Sequence, residues 1–143
     1  MAQRMPVSGA VIVTTPQDIA LLDARKGLSM FEKVNIPVLG IIENMSTHVC
    51  SECGHEEHIF GEGGAKRMAK ESGTELLGEL PLDIRIRTGS DSGRPIVVSD
   101  PGGPLATAYG VIAERISRKI KLVASPVGDG ETNEPAMPRI FVE

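Results

Sequence analysis

The chain has 143 residues, a net charge of −4 and a pI near 5.4, with 41% hydrophobic and 24% charged residues. The length fits one domain with a modest core, and the acidic balance argues against a nucleic-acid binder, which shows a basic patch or stripe. No apolar run reaches the roughly 20 residues that span a bilayer, and no secretory leader is expected before the first strand, so the sequence reads as cytoplasmic.

"GAVIVTTP" (9–16) is a β-branched run ending in a turn signal and predicts a buried strand. Thr15-Pro16-Gln17-Asp18 then predicts a helix start, with Thr15 as cap, Pro16 at the first helical position and Asp18 as the capping-box acid. Leu21, Ala24, Leu28 and Phe31 follow at helical spacing and give that helix one apolar face. "IPVLGIIEN" (36–44) predicts a second buried strand. A polar loop over 44–62 leads to a helix from about Gly64 to Ser72, which Gly73 ends. "TELLGELP" (74–81) predicts a third strand, Asp83 opens a short helix, and "PIVVS" (95–99) suggests a short edge strand. Pro104 opens the last helix, lined on one side by Tyr109, Ile112, Ala113, Ile116 and Ile120. Arg118, Lys119 and Lys121 in its last turn suit the negative helix end. Strands alternating with helices predict an α/β fold with a parallel sheet and flanking helices. Residues 1–122 form the expected domain, and 123–143, rich in proline and glycine, read as a disordered tail.

Both cysteines and all three histidines fall within 44–64, as His48, Cys50-x-x-Cys53-x-His55 and His58. Two cysteines at this spacing can turn both sulfurs to one metal, and Gly54 behind them lets backbone N–H groups face those sulfurs. Incidental thiols are the plain alternative, but a polar loop after a strand is where binding residues tend to lie. A thioredoxin-like redox pair needs a helix N-terminus to lower a thiol pKa, and this stretch does not read as one. Adding His55 and His58 would give a tetrahedral Cys₂His₂ zinc site in one chain, at the expense of a strained loop. Alternatively, the two thiolates ligate an iron–sulfur cluster whose other ligands come from a second chain. Spacing alone leaves these two open, although loop histidines are more often solvated than ligating. "FGEGGAKRMA" (60–69) lacks the spacing of a phosphate loop and reads as flexible entry to a helix. No catalytic residues are assigned.

In combination, "VIVTTPQDIALLDARKGLSMF", "IPVLGIIENMS", "CSECG", "IFGEGGAKRMA" and "LGELPLDIRIRTGSDSGRP" closely resemble the Mrp/ApbC family over about residues 1–120. Its members are MinD/ParA-like P-loop ATPases that carry iron–sulfur clusters to recipient proteins. The resemblance implies that Cys50 and Cys53 are the cluster pair, holding a [4Fe–4S] cluster between two chains of a homodimer. It also implies that Asn44 pairs with the adenine edge of ATP while Pro81, Leu82 and Asp83 pack around the base. The family's Walker A loop and its Asp-x-Pro-Pro-Gly segment do not occur in this sequence. The chain therefore resembles the family's C-terminal half, and neither the phosphate cradle nor the Mg²⁺ ligands are present. Apo iron–sulfur proteins are the implied partners, with no nucleic acid and no membrane. The rival class is a small zinc-stabilised interaction module that transfers no cluster. Without the missing half, strands 10–14 and 37–43 are expected to leave an unpaired edge or apolar face.

Overall fold

The computed structural model describes residues 7–124. Their order is β1 (Ala10–Thr14), α1 (Asp18–Lys33), β2 (Val38–Val49), β3 (Glu56–Glu57), α2 (Gly64–Glu71), β4 (Leu76–Leu82), α3 (Ile84–Asp91), α4 (Ile96–Ser99) and α5 (Pro104–Ala124). β1 and β4 both pair parallel to β2 at Ile41, Ile42 and Glu43, so β2 is the centre of the sheet. The α/β architecture with a mainly parallel sheet is as expected. The expectation of an open edge holds for 10–14, because β1 pairs only with β2 among the described residues. It does not hold for the second strand, in which Ile41–Glu43 is flanked on both sides.

The alternation of β2 sends successive side chains to opposite faces. Ile41 joins Ile12, Leu21, Ala24, Leu28, Ala65 and Met68 under α1 and α2. Ile42 joins Leu77, Leu80 and Ile112 under α5. Ile41, Met68 and Leu77 are fully buried. Gly78 lets α5 lie close on the sheet, since a Cβ there would come within 2.5 Å of Ile112 Cγ1. On α5, Tyr109 and Ile116 pack on this core as the spacing predicts, whereas Ala113 and Ile120 are exposed. β1 is not apolar-buried on both faces: Val13 is 59% exposed.

Three boundaries differ from expectation. α1 starts at Asp18 because Gln17 is extended (φ −63°, ψ 137°). Thr15 Oγ1 donates to Gln17 Oε1 (3.1 Å) and caps nothing, and the backbone of Pro16 is held against Gly64. Residues 96–99 form one helical turn, α4, in place of a strand. Val98 N–H and Ser99 N–H donate to the Pro95 carbonyl (2.8 and 3.1 Å) and Ile96 is buried, so local bonds satisfy the backbone. β2 runs five residues past Asn44, into the stretch read as loop. At the other end α5 continues to Ala124, and the remainder of the expected tail, 125–143, lies outside the described residues.

Candidate metal centre

The second half of β2 is held differently from the first. Met45 is left-handed (φ 57°), and Asn44 Oδ1 accepts its N–H (3.0 Å). The ladder to β4 breaks between Asn44 and His48. Side chains take over there: Ser46 Oγ donates to the Leu80 carbonyl (3.2 Å) and His48 Nδ1 to the Leu82 carbonyl (3.3 Å). The chain then folds back through a short hairpin, with His48 opposite Glu57 and Val49 opposite Glu56. His58 Nδ1 donates to the Ser46 carbonyl (2.9 Å) at the hairpin's base.

Cys50 and Cys53 occupy the hairpin's turn. Cys50 N–H donates to the His55 carbonyl and Gly54 N–H to the Cys50 carbonyl, both at 2.9 Å. Gly54 closes the turn in the left-handed region (φ 71°), where a side chain would be strained. Both cysteines are free; Cys50 is half-buried and Cys53 exposed. Hydrogen bonding from the backbone N–H of Cys53, from that of Glu52 and from the Cys53 thiol holds the Cys50 thiol below its usual range. Slight burial and the Glu57 carboxylate oppose them. Hydrogen bonds to an ionised group favour that form, so the turn favours the thiolate that metals bind.

Among the described residues the histidines do not gather with the cysteines into a group that could hold a metal. Nδ1 of His48 and of His58 is engaged with a carbonyl, which leaves Nε2 as the remaining nitrogen of each ring, and His55 is exposed. Among the described residues no three His, Cys, Asp or Glu side chains converge on one point. Among the described residues the turn therefore presents two sulfurs, and no one-chain Cys₂His₂ group is assembled.

Asn44 lies opposite Leu80 in the β2–β4 register, next to Pro81. Asp83 caps α3: its Oδ1 accepts Arg85 N–H (2.8 Å) and Nε (3.0 Å), and its Oδ2 accepts Nη2 (2.7 Å). Arg85 holds the Asp83 carboxyl below the usual carboxylate range. A cleft of about 470 Å³ is lined by His48–Ser51 on one side and Leu82–Arg85 on the other. Of the residues expected to act, Cys50, Leu82 and Asp83 thus share one cleft, and Asn44, Pro81 and Cys53 do not line it.

Glu43 was not anticipated as part of this region. It is 1% exposed, and its Oε2 accepts the Ala65 N–H (2.6 Å) at the start of α2. A carboxylate there satisfies an orphan donor and suits the positive helix end. The signal was present as the one acid inside an apolar run.

Residues 1–117 match the ParA family, described as the NUBPL iron-transfer P-loop NTPase. Over 113 residues the chain is 58% identical to the iron–sulfur cluster carrier protein of Pseudomonas fragi, covering 79% of this chain and 39% of that protein. The chain thus spans about two fifths of the length of that curated relative. The structure is similar to the cell division ATPase MinD of Pyrococcus furiosus, with a TM-score of 0.61 and 26% identity over 78% of this chain and 43% of the other. It is also similar to a nucleotide-binding protein from Archaeoglobus fulgidus solved in complex with ADP, with a TM-score of 0.55 and 38% identity over 67% of this chain and 38% of that one. The sheet and its helices are thus those of a P-loop NTPase.

Proposed function

The chain belongs to the ParA family of NUBPL-type iron-transfer P-loop NTPases, and on that premise we propose that it is the cluster-holding part of an iron–sulfur carrier. Its cargo is a [4Fe–4S] cluster held by Cys50 and Cys53 of two copies and passed to apo iron–sulfur proteins. The observation that carries this reading is the free thiol pair at the hairpin turn, Cys50 half-buried and Cys53 exposed, with no third ligand converging among the described residues.

Four thiolates usually hold such a cluster. A two-fold axis at the turn brings two from each copy without any new ligand type. Transfer is then ligand exchange: each iron–sulfur bond to Cys50 or Cys53 is replaced by one to a recipient cysteine, and the incoming thiol's proton ends on the departing sulfur. No electron moves. A boundary between copies suits release, because separation of the two hairpins removes half of the ligands at once.

Residues 1–122 make up part of a P-loop NTPase-like domain, with the metal loop within 44–62. Asn44, Pro81, Leu82 and Asp83 are the proposed contacts for an adenine base. Both Asp83 oxygens are engaged by Arg85, so its part falls to the backbone around it. Nucleotide binding by this chain is expected to be weak and ATP hydrolysis negligible, since the sequence holds no phosphate-cradling loop. Free thiols suit a reducing compartment such as the cytoplasm, and no helix among the described residues is long and apolar enough to cross a membrane.

Metal analysis after anaerobic purification tests the proposal. Iron with acid-labile sulfide and visible absorbance is expected. Zinc alone, without absorbance, would instead make the hairpin a structural zinc module.

A further inference from the structure

Between Met45 and the cysteine turn, main-chain pairing is sparse, with His48 opposite Leu82 on one edge and His48 and Val49 opposite Glu57 and Glu56 on the other. The left-handed Met45 breaks the β2–β4 ladder, and only two residue pairs join β2 to β3. An arm held by so few backbone bonds would open readily. Three side chains add bonds around this gap. Ser46 and His48 reach sideways to consecutive outward steps of β4, at Leu80 and Leu82, while His58 ties the returning strand to the Ser46 carbonyl. A carbonyl only accepts, so Nδ1 of each ring carries the hydrogen. Each ring is thereby fixed by a backbone group on a neighbouring strand.

We propose that His48 and His58 are positioning residues that latch the cysteine hairpin to the sheet, and that neither is a metal ligand. The latch sets how far the turn bearing Cys50 and Cys53 departs from its docked position. It therefore governs how long a bound cluster is retained. The retention part rests on the carrier reading above; the latch itself does not.

Two measurements on the full chain separate these parts. In the cluster-free protein, hydrogen exchange at the Cys50 and Gly54 amides should quicken about fivefold in His58→Ala and in His48→Ala, the order expected for one lost hydrogen bond. In the anaerobically reconstituted protein, the same variants should lose cluster to excess bipyridyl about fivefold faster, with the visible spectrum unchanged. His58→Asn, whose Nδ2–H can reach the same carbonyl, should return both rates close to those of the unsubstituted chain. His55→Ala should match the unsubstituted chain throughout. Unchanged exchange in both alanine variants would overturn the latch. So would an altered spectrum in His58→Ala that asparagine does not restore, which would make His58 a ligand. If the unsubstituted chain takes up no cluster, the carrier reading fails, and the exchange measurement still decides the latch.

Discussion

The two halves of β2 are built on different terms. Val38–Asn44 is the centre of the sheet, paired on both edges over Ile41–Glu43 and packed between two helical layers. Met45–Val49 has one ladder pair, His48 with Leu82, and two side-chain tethers on one edge and a two-residue ladder on the other. The first half holds most of its free energy in apolar burial, which is cooperative and hard to alter locally. The second half holds its position through a few hydrogen bonds, each worth about 1 kcal/mol net. A single strand thus joins a rigid base to an arm that can be displaced without unfolding the base, and the thiols sit on the arm.

The sharpest way to break this contrast is at the sulfurs. Cys50→Ser or Cys53→Ser should abolish cluster binding and the cluster-dependent dimer, while thermal stability changes by no more than about 0.5 kcal/mol, as for a surface substitution. Absorbance and a melting curve check the two halves of that statement. The converse holds for the base. Leu77→Ala or Ile41→Ala removes a fully buried side chain and should cost about 2–5 kcal/mol in a denaturant titration. Gly78→Ala should cost about 1–3 kcal/mol, because the new methyl group would push α5 off the sheet at Ile112. Glu43→Ala belongs with these: it leaves the Ala65 N–H without its acceptor and should cost about 1–3 kcal/mol.

The smallest effect expected is electrostatic. Asp83 is depressed in the folded chain by Arg85. Its contribution is therefore present above the unfolded carboxylate value of about 3.9 and is lost as pH falls through the lower folded value. Asp83→Asn should accordingly flatten part of the acid limb of a stability–pH profile and lower neutral stability by the same small amount, small because the pair is partly exposed. An unaltered acid limb would mean that the clamp contributes nothing.

Much of the base was legible in the sequence because its signals are local. The spacing of Leu21, Ala24 and Leu28 gave α1 its buried face, Gly73 marked the end of α2, and Asp83 does cap α3. The failures share a cause, which is that a distant partner decided the outcome. Pro16 is held against Gly64 and the following Gln17 is extended, so α1 starts only at Asp18; among the described residues no strand lies alongside 96–99, and the β-branched run closes a helical turn on itself. The arm was harder still. "NMSTHV" carries no strand periodicity, because its register is set by Ser46 and His48 reaching carbonyls of β4, 34 residues away in sequence. The cysteine pair was legible as chemistry from spacing alone, whereas the latch that holds it was not.

The most direct test of the account is native mass spectrometry of the anaerobically reconstituted chain. The account predicts one [4Fe–4S] cluster per two chains, and dissociation to cluster-free monomers in Cys53→Ser. A cluster held by a single chain, or a Cys53→Ser dimer that keeps its iron, would contradict it.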